Sequence, residues 1–321
     1  MKMKVFSIRR DEKEMSATLN LKFFTGVDEY LDGAEACILA DLKNGLTYDE
    51  IMKKYVSEED SRMKYMIFYH LSIDRHNILS WYDFEPESTI LEIGAGCGAL
   101  TGLFVEKCRH VVAVDLSKPR CLVNYERHKS ADNLEIVVAN LNALPSEYKF
   151  DYITLIGVLE YCGEYTKSEN PYKDFLLKVK TFLNPGGKLI IAIENRLGLR
   201  YFNGALEDHF IKSFVGLNNY TQTSRGVRTF SRSELGELLD KSGFCNTEIY
   251  LAHPDYKHTM SIVSESAQEF HELVVSDSPN HFLYPIKLFS EGLMMRSVAK
   301  EKMYSVMGNS FLVFCQEDSV N

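Results

Sequence analysis

The sequence predicts an α/β fold in which helices cover both faces of a mostly parallel sheet. From about residue 90 onward, short and almost continuous apolar runs alternate with amphipathic segments. This is the pattern of parallel strands that are buried on both faces. The first of these runs leads directly into three alternating glycines, and such a turn between a strand and a helix is typical of α/β sheets that bind nucleotides.

The region before the first predicted strand is expected to be helical. Its periodicity indicates helices over residues 28–43, 48–56 and about 61–82, with a break at Asn44-Gly45 and no strand-like alternation. We therefore expect a helical cap over residues 1–85 and an α/β core over residues 86–321.

Seven strands are expected within the core. They lie at 90–94, 111–115, 134–139, 150–156, 188–193, about 247–252 and 310–315, and helices are predicted at 98–108, 118–129, 171–183 and 231–242. The last helix begins with the capping pattern Ser231-x-x-Glu234. Segments 195–230 and 254–309 are predicted insertions at the carboxyl edge of the sheet, where ligands of open α/β sheets bind, so we expect them to form a substrate lid.

Composition and charge narrow the classes of partner. The 321 residues carry 45 acidic and 36 basic side chains, a formal charge of −9 without a long basic run, which does not favour a nucleic-acid partner. No apolar run reaches the length of a membrane span, and the N-terminus turns charged where a signal peptide is apolar, so we expect a cytoplasmic protein without a membrane partner. The seven cysteines include no C-x-x-C pair.

The glycine turn at residues 91–101, LEIGAGCGALT, is the most informative motif. Gly94, Gly96 and Gly98 can adopt backbone angles that other residues disfavour, and they let a ligand approach the main chain. Asp115 ends the second strand, where its carboxylate can accept hydrogen bonds from two ribose hydroxyls. The spacing also satisfies the dinucleotide pattern G-x-G-x-x-G/A, so two cofactors compete for the turn.

Glu92 favours one of these cofactors. It gives the pattern E-x-G-x-G-x-G, which resembles the first motif of class I S-adenosylmethionine-dependent methyltransferases. The resemblance implies a Rossmann-like sheet of seven strands, mostly parallel, with the last strand antiparallel and inserted between the fifth and sixth. It also implies S-adenosylmethionine as the cofactor. Further segments, at 70–82, 155–161, 191–209, 228–235, 254–257 and 308–314, resemble a bacterial subgroup associated with polysaccharide, glycan or small-metabolite biosynthesis.

The resemblance also implies a set of cofactor-binding residues. Gly94, Ala95 and Gly96 would contact the methionine part and the ribose, and Asn140 or Leu141 would contact the adenine edge. Many family members carry an acid near Asn140, and an asparagine can still accept from the adenine amino group. Arg75 can pair with the cofactor carboxylate. The remaining predicted cofactor-binding residues are Glu92, Gly98, Asp115, Leu116, Gly157 and Tyr69.

The candidate catalytic residues are His209, Asp208 and Glu160. His209 lies in the predicted lid, and if a carboxylate orients it, its ring can take a proton from an acceptor hydroxyl. Glu160 follows the fourth core strand. The pair Glu194-Asn195 resembles the acid-Asn pair of metal-dependent O-methyltransferases, but the remaining ligands would have to come from Glu160 or the lid, so no metal is assigned.

The expected function is S-adenosylmethionine-dependent transfer of a methyl group to an oxygen of a sugar, nucleotide sugar or other small metabolite. Three alternatives stay open: an NAD-dependent oxidoreductase or epimerase, although a Y-x-x-x-K pair is lacking where a reductase would need it; a protein or RNA methyltransferase; and a non-catalytic cofactor-binding module. The expected partner is a small-molecule acceptor, and a homodimer that closes the pocket is a further alternative.

Overall fold

The computed structural model describes residues 16–26, 31, 33–56, 61–223, 226–267 and 287–317. The predicted insertion 254–309 therefore includes residues 268–286, which lie outside the described residues, as do residues 1–15 of the predicted cap. Among the helices of the described ranges, none combines the length and the apolar composition needed to cross a bilayer.

One sheet of nine strands organises the described residues, in the order β1-β4-β3-β2-β5-β6-β9-β7-β8. Strands β2 to β6 are parallel to one another, and β9 pairs antiparallel with both β6 and β7. The strands are β1 Thr18–Asn20, β2 Thr89–Ile93, β3 His110–Asp115, β4 Leu134–Val138, β5 Phe150–Ile156, β6 Leu183–Glu194, β7 Phe244–Asp255, β8 His258–Ser264 and β9 Ser310–Glu317.

The predicted Rossmann-like sheet is confirmed, including the antiparallel last strand between the fifth and sixth core strands. Two strands were not predicted. β1 lies in the region expected to be wholly helical and pairs in parallel with β4, and β8 lies in the predicted insertion 254–309 and pairs with β7. With three residues, β1 is too short for its side-chain alternation to be recognised from sequence.

The apolar strands supply both faces of the core. Leu91 and Ile93 on β2 pack into one hydrophobic cluster, while Ile90 on the same strand packs into another on the opposite face. Successive side chains of a strand point to opposite faces, so an uninterrupted apolar run buries both. The carboxyl ends of β2, β3, β5 and β6 consequently meet at one edge of a rigid sheet.

The helices are shorter than predicted in several places. The predicted helix 61–82 ends at Leu71, because the Ser72 side chain accepts a hydrogen bond from the amide of Asp74 and starts a 3₁₀ helix over Ile73–Ile78. The capping box at Ser231 and Glu234 is confirmed. The α-helices are α1 Glu35–Lys43, α2 Tyr48–Val56, α3 Ser61–Leu71, α4 Thr101–Lys107, α5 Lys118–His128, α6 Cys162–Tyr165, α7 Pro171–Lys180, α8 Leu199–Phe202, α9 Arg232–Lys241, α10 Glu291–Lys300 and α11 Tyr304–Met307.

Two arginines of α5 connect the N-terminal helices to the rest of the domain and to the glycine turn. The guanidinium of Arg127 on α5 donates to the carbonyls of His70 and Leu71 at the end of α3, and to that of Cys97 in the turn. Arg120, also on α5, forms a buried ion pair with Glu35 of α1 at 2.9 Å. These contacts fix α1 and α3 beside the edge of the sheet that carries the predicted site.

Candidate active site

A cavity of about 440 Å³ opens at the carboxyl edge of the sheet. The glycine turn after β2, the ends of β3 and β5, helix α3, the segment 208–211 and the turn between β7 and β8 contribute to its lining. This is the edge at which open α/β sheets bind their ligands. All but one of the predicted cofactor-binding and catalytic residues line it: Tyr69, Arg75, Glu92, Gly94, Ala95, Gly96, Asp115, Leu116, Asn140, Leu141, Gly157, Glu160, Asp208 and His209.

The exception among the three motif glycines is Gly98, which does not belong to the cavity lining. Gly96 has a φ of +54°, and a Cβ built there meets nothing within 4 Å, so its backbone borders open space. Gly98 has a φ of +77°, but a Cβ there would lie 2.3 Å from Oδ1 of Asn124. The absence of a Cβ at Gly98 thus admits Asn124 of α5 beside the turn, and a cofactor contact of Gly98 stays a prediction.

Asp115 connects the second strand to the glycine turn. The amide of Gly96 donates to one oxygen of its carboxylate and the amide of Ser117 to the other, each at 2.8 Å. Each oxygen keeps lone-pair capacity for a further donor. The carboxylate thus has a fixed orientation at the rim of the cavity, as a group that receives ribose hydroxyls requires.

At the predicted adenine edge, Asn140 and Leu141 line the cavity, but Asn140 already has a structural contact. Its side-chain oxygen accepts from the amide of Asn142 at 2.9 Å and caps the 3₁₀ turn Leu141–Ala143. The same oxygen is the atom predicted to accept from the adenine amino group. Leu141 provides an apolar surface beside it.

Arg75 is a buried cation on the cavity wall, only 3% exposed. Its guanidinium lies 4.7 Å from the ring centre of Tyr69 and 5.8 Å from that of Tyr256, and one terminal nitrogen lies 3.5 Å from the carbonyl of Tyr256. Within the described ranges, its Nε has no hydrogen-bond partner. A buried guanidinium with an unused donor suits a carboxylate ligand. Together with the open cradle at Gly96 and the carboxylate of Asp115, it fits a cofactor that carries a ribose and an amino-acid carboxylate.

His209 and Glu160 also line the cavity. His209 Nδ1 lies 2.9 Å from Oε1 of Glu207, and its Nε2 lies 3.8 Å from Oε1 of Glu160. Although burial alone lowers the pKa of His209, the carboxylates of Glu160 and Glu207 outweigh it and raise that pKa well above its ordinary value. Burial, with the nearby charge of Glu194, raises the pKa of Glu160.

Asp208 belongs to a different network from its neighbour in the sequence. Its carboxylate forms buried ion pairs with Arg200 and with Lys257, and Lys257 also binds Glu194. Burial tends to raise the pKa of Asp208, but the charges of Arg200 and Lys257 hold it well below its usual range. The carboxylate that contacts the ring of His209 is therefore that of Glu207.

Four residues in or next to the cavity lining were not among the predicted site residues. Tyr256 and Lys257 belong to the lining, whereas Arg200 and Glu207 contact Asp208 and His209 from behind it. All four lie in segments that the sequence singles out, at 191–209 and 254–257. Asn195, which had been compared with a metal ligand, is fully buried. Its side-chain nitrogen donates to the carbonyls of Val306 and Gly308, and its oxygen accepts from Leu197.

Comparison with known proteins agrees with this geometry in the central part of the chain. Residues 91–189 match the model of a family described as a methyltransferase domain. The match confirms the predicted methyltransferase domain and S-adenosylmethionine as its cofactor. The matched segment contains the glycine turn, Asp115, the predicted adenine edge and Glu160.

Several curated proteins that are similar to this chain are methyltransferases by name. A protein of Staphylococcus carnosus called "Uncharacterized methyltransferase" is 28% identical over 181 residues, which cover 56% of this chain and 83% of that protein. A "Probable ribosomal RNA small subunit methyltransferase A" of Methanosarcina mazei is 31% identical over 90 residues, 28% of this chain. The chain spans about a third, 32%, of the length of that relative.

A solved structure similar to this chain is that of phosphoethanolamine N-methyltransferase 2 from Haemonchus contortus, in complex with phosphomonomethylethanolamine and S-adenosylhomocysteine. It is 17% identical in sequence and has a TM-score of 0.45, and the alignment covers 84% of this chain and 59% of that one.

Proposed function

We propose that this chain is a methyltransferase that transfers the methyl group of S-adenosylmethionine to an oxygen of a small metabolite, such as a sugar or nucleotide sugar. The observation that carries the proposal is the continuity of one cavity. The glycine turn, Asp115, Glu160 and His209 all line it. A cofactor held by the glycine turn and Asp115 would therefore share the cavity with acid-base groups.

The residues of this chain would orient the reactants and take up a proton. The bound cofactor would supply an activated methyl group on a positively charged sulfur. Asp115 and the backbone of Gly96 would hold the ribose, and Arg75 would hold the carboxylate, which restricts the position of the reactive end. The proton of the acceptor hydroxyl would pass to the carboxylate of Glu160, because the raised pKa of His209 favours a ring that already carries its proton, with Nε2 3.8 Å from Oε1 of Glu160.

The size of the cavity supports a small acceptor. Ligand pockets for small molecules typically have volumes of about 300–1,000 Å³, and this one, at about 440 Å³, must hold the cofactor as well. Tyr65, Tyr69 and Tyr256 also line the cavity, and their rings can cover the apolar face of a sugar-sized group.

RNA is an alternative acceptor, because three relatives are named as ribosomal RNA methyltransferases. An RNA-binding site needs a basic face, since affinity for a phosphate backbone depends on neutralising its charges. The chain carries a formal charge of −9 instead. This acidic balance supports a small acceptor over RNA.

The first experiment is calorimetric titration of the purified chain with S-adenosylmethionine, S-adenosylhomocysteine and NAD in parallel. We expect binding of both adenosyl ligands and none of NAD, and binding of NAD alone would refute the proposal. Methyl transfer is then measured with radiolabelled cofactor against sugars, nucleotide sugars and a ribosomal RNA fragment. Transfer to the RNA alone would establish the alternative, and cofactor binding without transfer to any acceptor would favour a non-catalytic module.

The catalytic assignment is tested with two substitutions. His209→Ala and Glu160→Gln should each lower turnover by about 10² or more while leaving S-adenosylmethionine binding intact. His110→Ala serves as the matched control, because His110 is exposed at the start of β3. Unchanged turnover in both site variants would remove the pair from the mechanism.

A further inference from the structure

Three potential metal-ligand atoms converge beside the cavity. A carboxylate oxygen of Glu160, one of Glu194 and a ring nitrogen of His209 lie within 4.8 Å of one another. The three residues come from separate segments: the turn after β5, the end of β6 and the lid after α8. The sheet thus fixes two of these groups, and the lid adds the third.

Two oxygens in this cluster are buried without a protein donor. Glu160 and Glu194 are each about 1% exposed. In the part of the chain that the structure describes, Oε2 of each has no hydrogen-bond partner. A buried carboxylate oxygen left unpaired is costly, so native proteins generally satisfy it with a hydrogen bond or a bound cation. Oε1 of Glu160 and Nε2 of His209 are 3.8 Å apart, too far for a hydrogen bond but suitable for two ligands of one ion.

The charge around the cluster also favours a cation. The connected network of the described residues contains five carboxylates, two permanent cations and one imidazole. Even with a protonated imidazole, the buried network retains an excess of negative charge. The members of this network are Glu160, Glu194, Glu207, Asp208 and Asp255, with Arg200, Lys257 and His209. Buried charges require pairing or metal coordination, and a dication would bring the network close to neutrality.

The contacts around His209 resemble the support of a ligating histidine. Its Nδ1 contacts Glu207, which also accepts from the hydroxyl of Tyr220 at 3.1 Å and from the amides of His209 and Phe210. Metal-ligating histidines commonly donate their second ring nitrogen to a carboxylate in this way, which fixes both the ring and its tautomer. The contact with Glu207 leaves Nε2 directed toward Glu160.

We propose that Glu160, Glu194 and His209 bind one divalent transition-metal ion, with Mn²⁺ as the test ion. Two carboxylates and one imidazole form a mixed oxygen and nitrogen donor set that suits ions of this class. Lys257 binds one oxygen of Glu194 and leaves the other for the ion. Metal binding does not depend on methyl transfer. A role of the bound ion in holding the acceptor hydroxyl would rest on the proposed function.

The test is a titration of the untagged, chelator-treated full chain with Mn²⁺, followed by the electron paramagnetic resonance signal of the free ion. We expect one ion per chain. Glu160→Gln and His209→Ala should each weaken binding at least tenfold, and Glu207→Gln should weaken it about 10-fold to 100-fold through loss of the support for His209. The matched controls are His110→Ala and Glu237→Gln, which alter exposed residues and should leave binding unchanged.

Two results would overturn the proposal: the absence of stoichiometric binding by the wild-type chain, or equal binding by the wild type and both site variants. Thermal unfolding and S-adenosylmethionine titration of each variant show whether it is folded. If a variant is not folded, the visible spectrum of Co²⁺ bound to the wild-type chain is measured instead of metal binding by that variant. A spectrum without nitrogen ligation would equally refute the site. Cofactor binding without Mn²⁺ binding would refute this inference alone, whereas Mn²⁺ binding without methyl transfer would refute the proposed function alone.

Discussion

Glu92→Gln should remove a large part of the pH dependence of this protein's stability. Glu92 lies near the end of β2, just before the glycine turn, and is buried. The hydroxyl of Thr101 donates to its carboxylate at 2.6 Å, and the side-chain amide of Asn124 donates to that hydroxyl at 2.9 Å. Burial raises the pKa of Glu92 to about 8, and the charge of Asp115 adds to this increase.

The sign and size of the effect follow from this raised pKa. In the unfolded chain a glutamate has a pKa of 4.5, so between pH 4.5 and about 8 the folded protein keeps a proton that the unfolded chain has released. The free energy of unfolding therefore falls as the pH rises through this window. The full difference between the two pKa values corresponds to about 5 kcal/mol. Partial hydration through the cavity reduces this, so we expect about 2–4 kcal/mol.

The assay is urea unfolding of the wild type and Glu92→Gln at several pH values from 5 to 9. Glutamine cannot ionise, and its side-chain oxygen can still accept from Thr101. The variant should therefore gain stability relative to the wild type as the pH rises. Glu87→Gln is the matched control, because Glu87 is fully exposed to solvent beside Arg109. If the difference between wild type and Glu92→Gln stays within about 0.5 kcal/mol over this range, the burial argument for Glu92 is wrong.

Three further results are expected. Gly98→Ala should destabilise the chain by about 2–4 kcal/mol, because its Cβ would meet Asn124. Gly96→Ala should cost less stability but weaken S-adenosylmethionine binding. Identical behaviour of the two variants in thermal unfolding and calorimetry would contradict this difference. Asp208→Asn should cost about 3–5 kcal/mol in urea unfolding by leaving two buried cations undercompensated; an unchanged transition midpoint would refute this. Asp115→Asn should weaken cofactor binding about tenfold by calorimetry, and unchanged affinity would argue against its ribose contact.

The residues expected to hold the cofactor could be predicted because each lies in a short motif at the end of a strand. Gly94 and Gly96 follow an apolar strand at fixed spacing, and Asp115 ends the next strand. Parallel strands bring such ends to one edge of the sheet, so the pattern determines both the fold and the position of the residues. Gly98 shows the limit of the pattern, because a glycine that contacts a ligand and one that accommodates a helix have the same signature. Only the position of Asn124 distinguishes them.

The arrangement of the residues around Glu160 and His209 could be predicted only in part. Glu160, Glu194 and His209 all lie in segments that the sequence singles out, but their convergence depends on the conformation of the segment after α8. Glu207 and Asp208 are adjacent acids, and sequence alone does not tell which of them contacts the ring. The lid contains backbone conformations that periodicity does not predict, including positive φ angles at the non-glycine residues Ile211 and Phe214.

The ion pairs of Asp208 explain how the segment after α8 places His209 at the cavity. Asp208 binds Arg200 from α8 and Lys257 from the turn between β7 and β8, so it fixes the residue next to His209 from two sides. A buried ion pair contributes little net stability compared with apolar packing, but breaking it is costly. Such a network therefore raises the free energy of other conformations of this segment more than it lowers the free energy of the observed one. The catalytic role of Asp208 stays a prediction, but its ion pairs already have a structural consequence: they hold the residue next to His209, whose ring lies between Glu207 and Glu160.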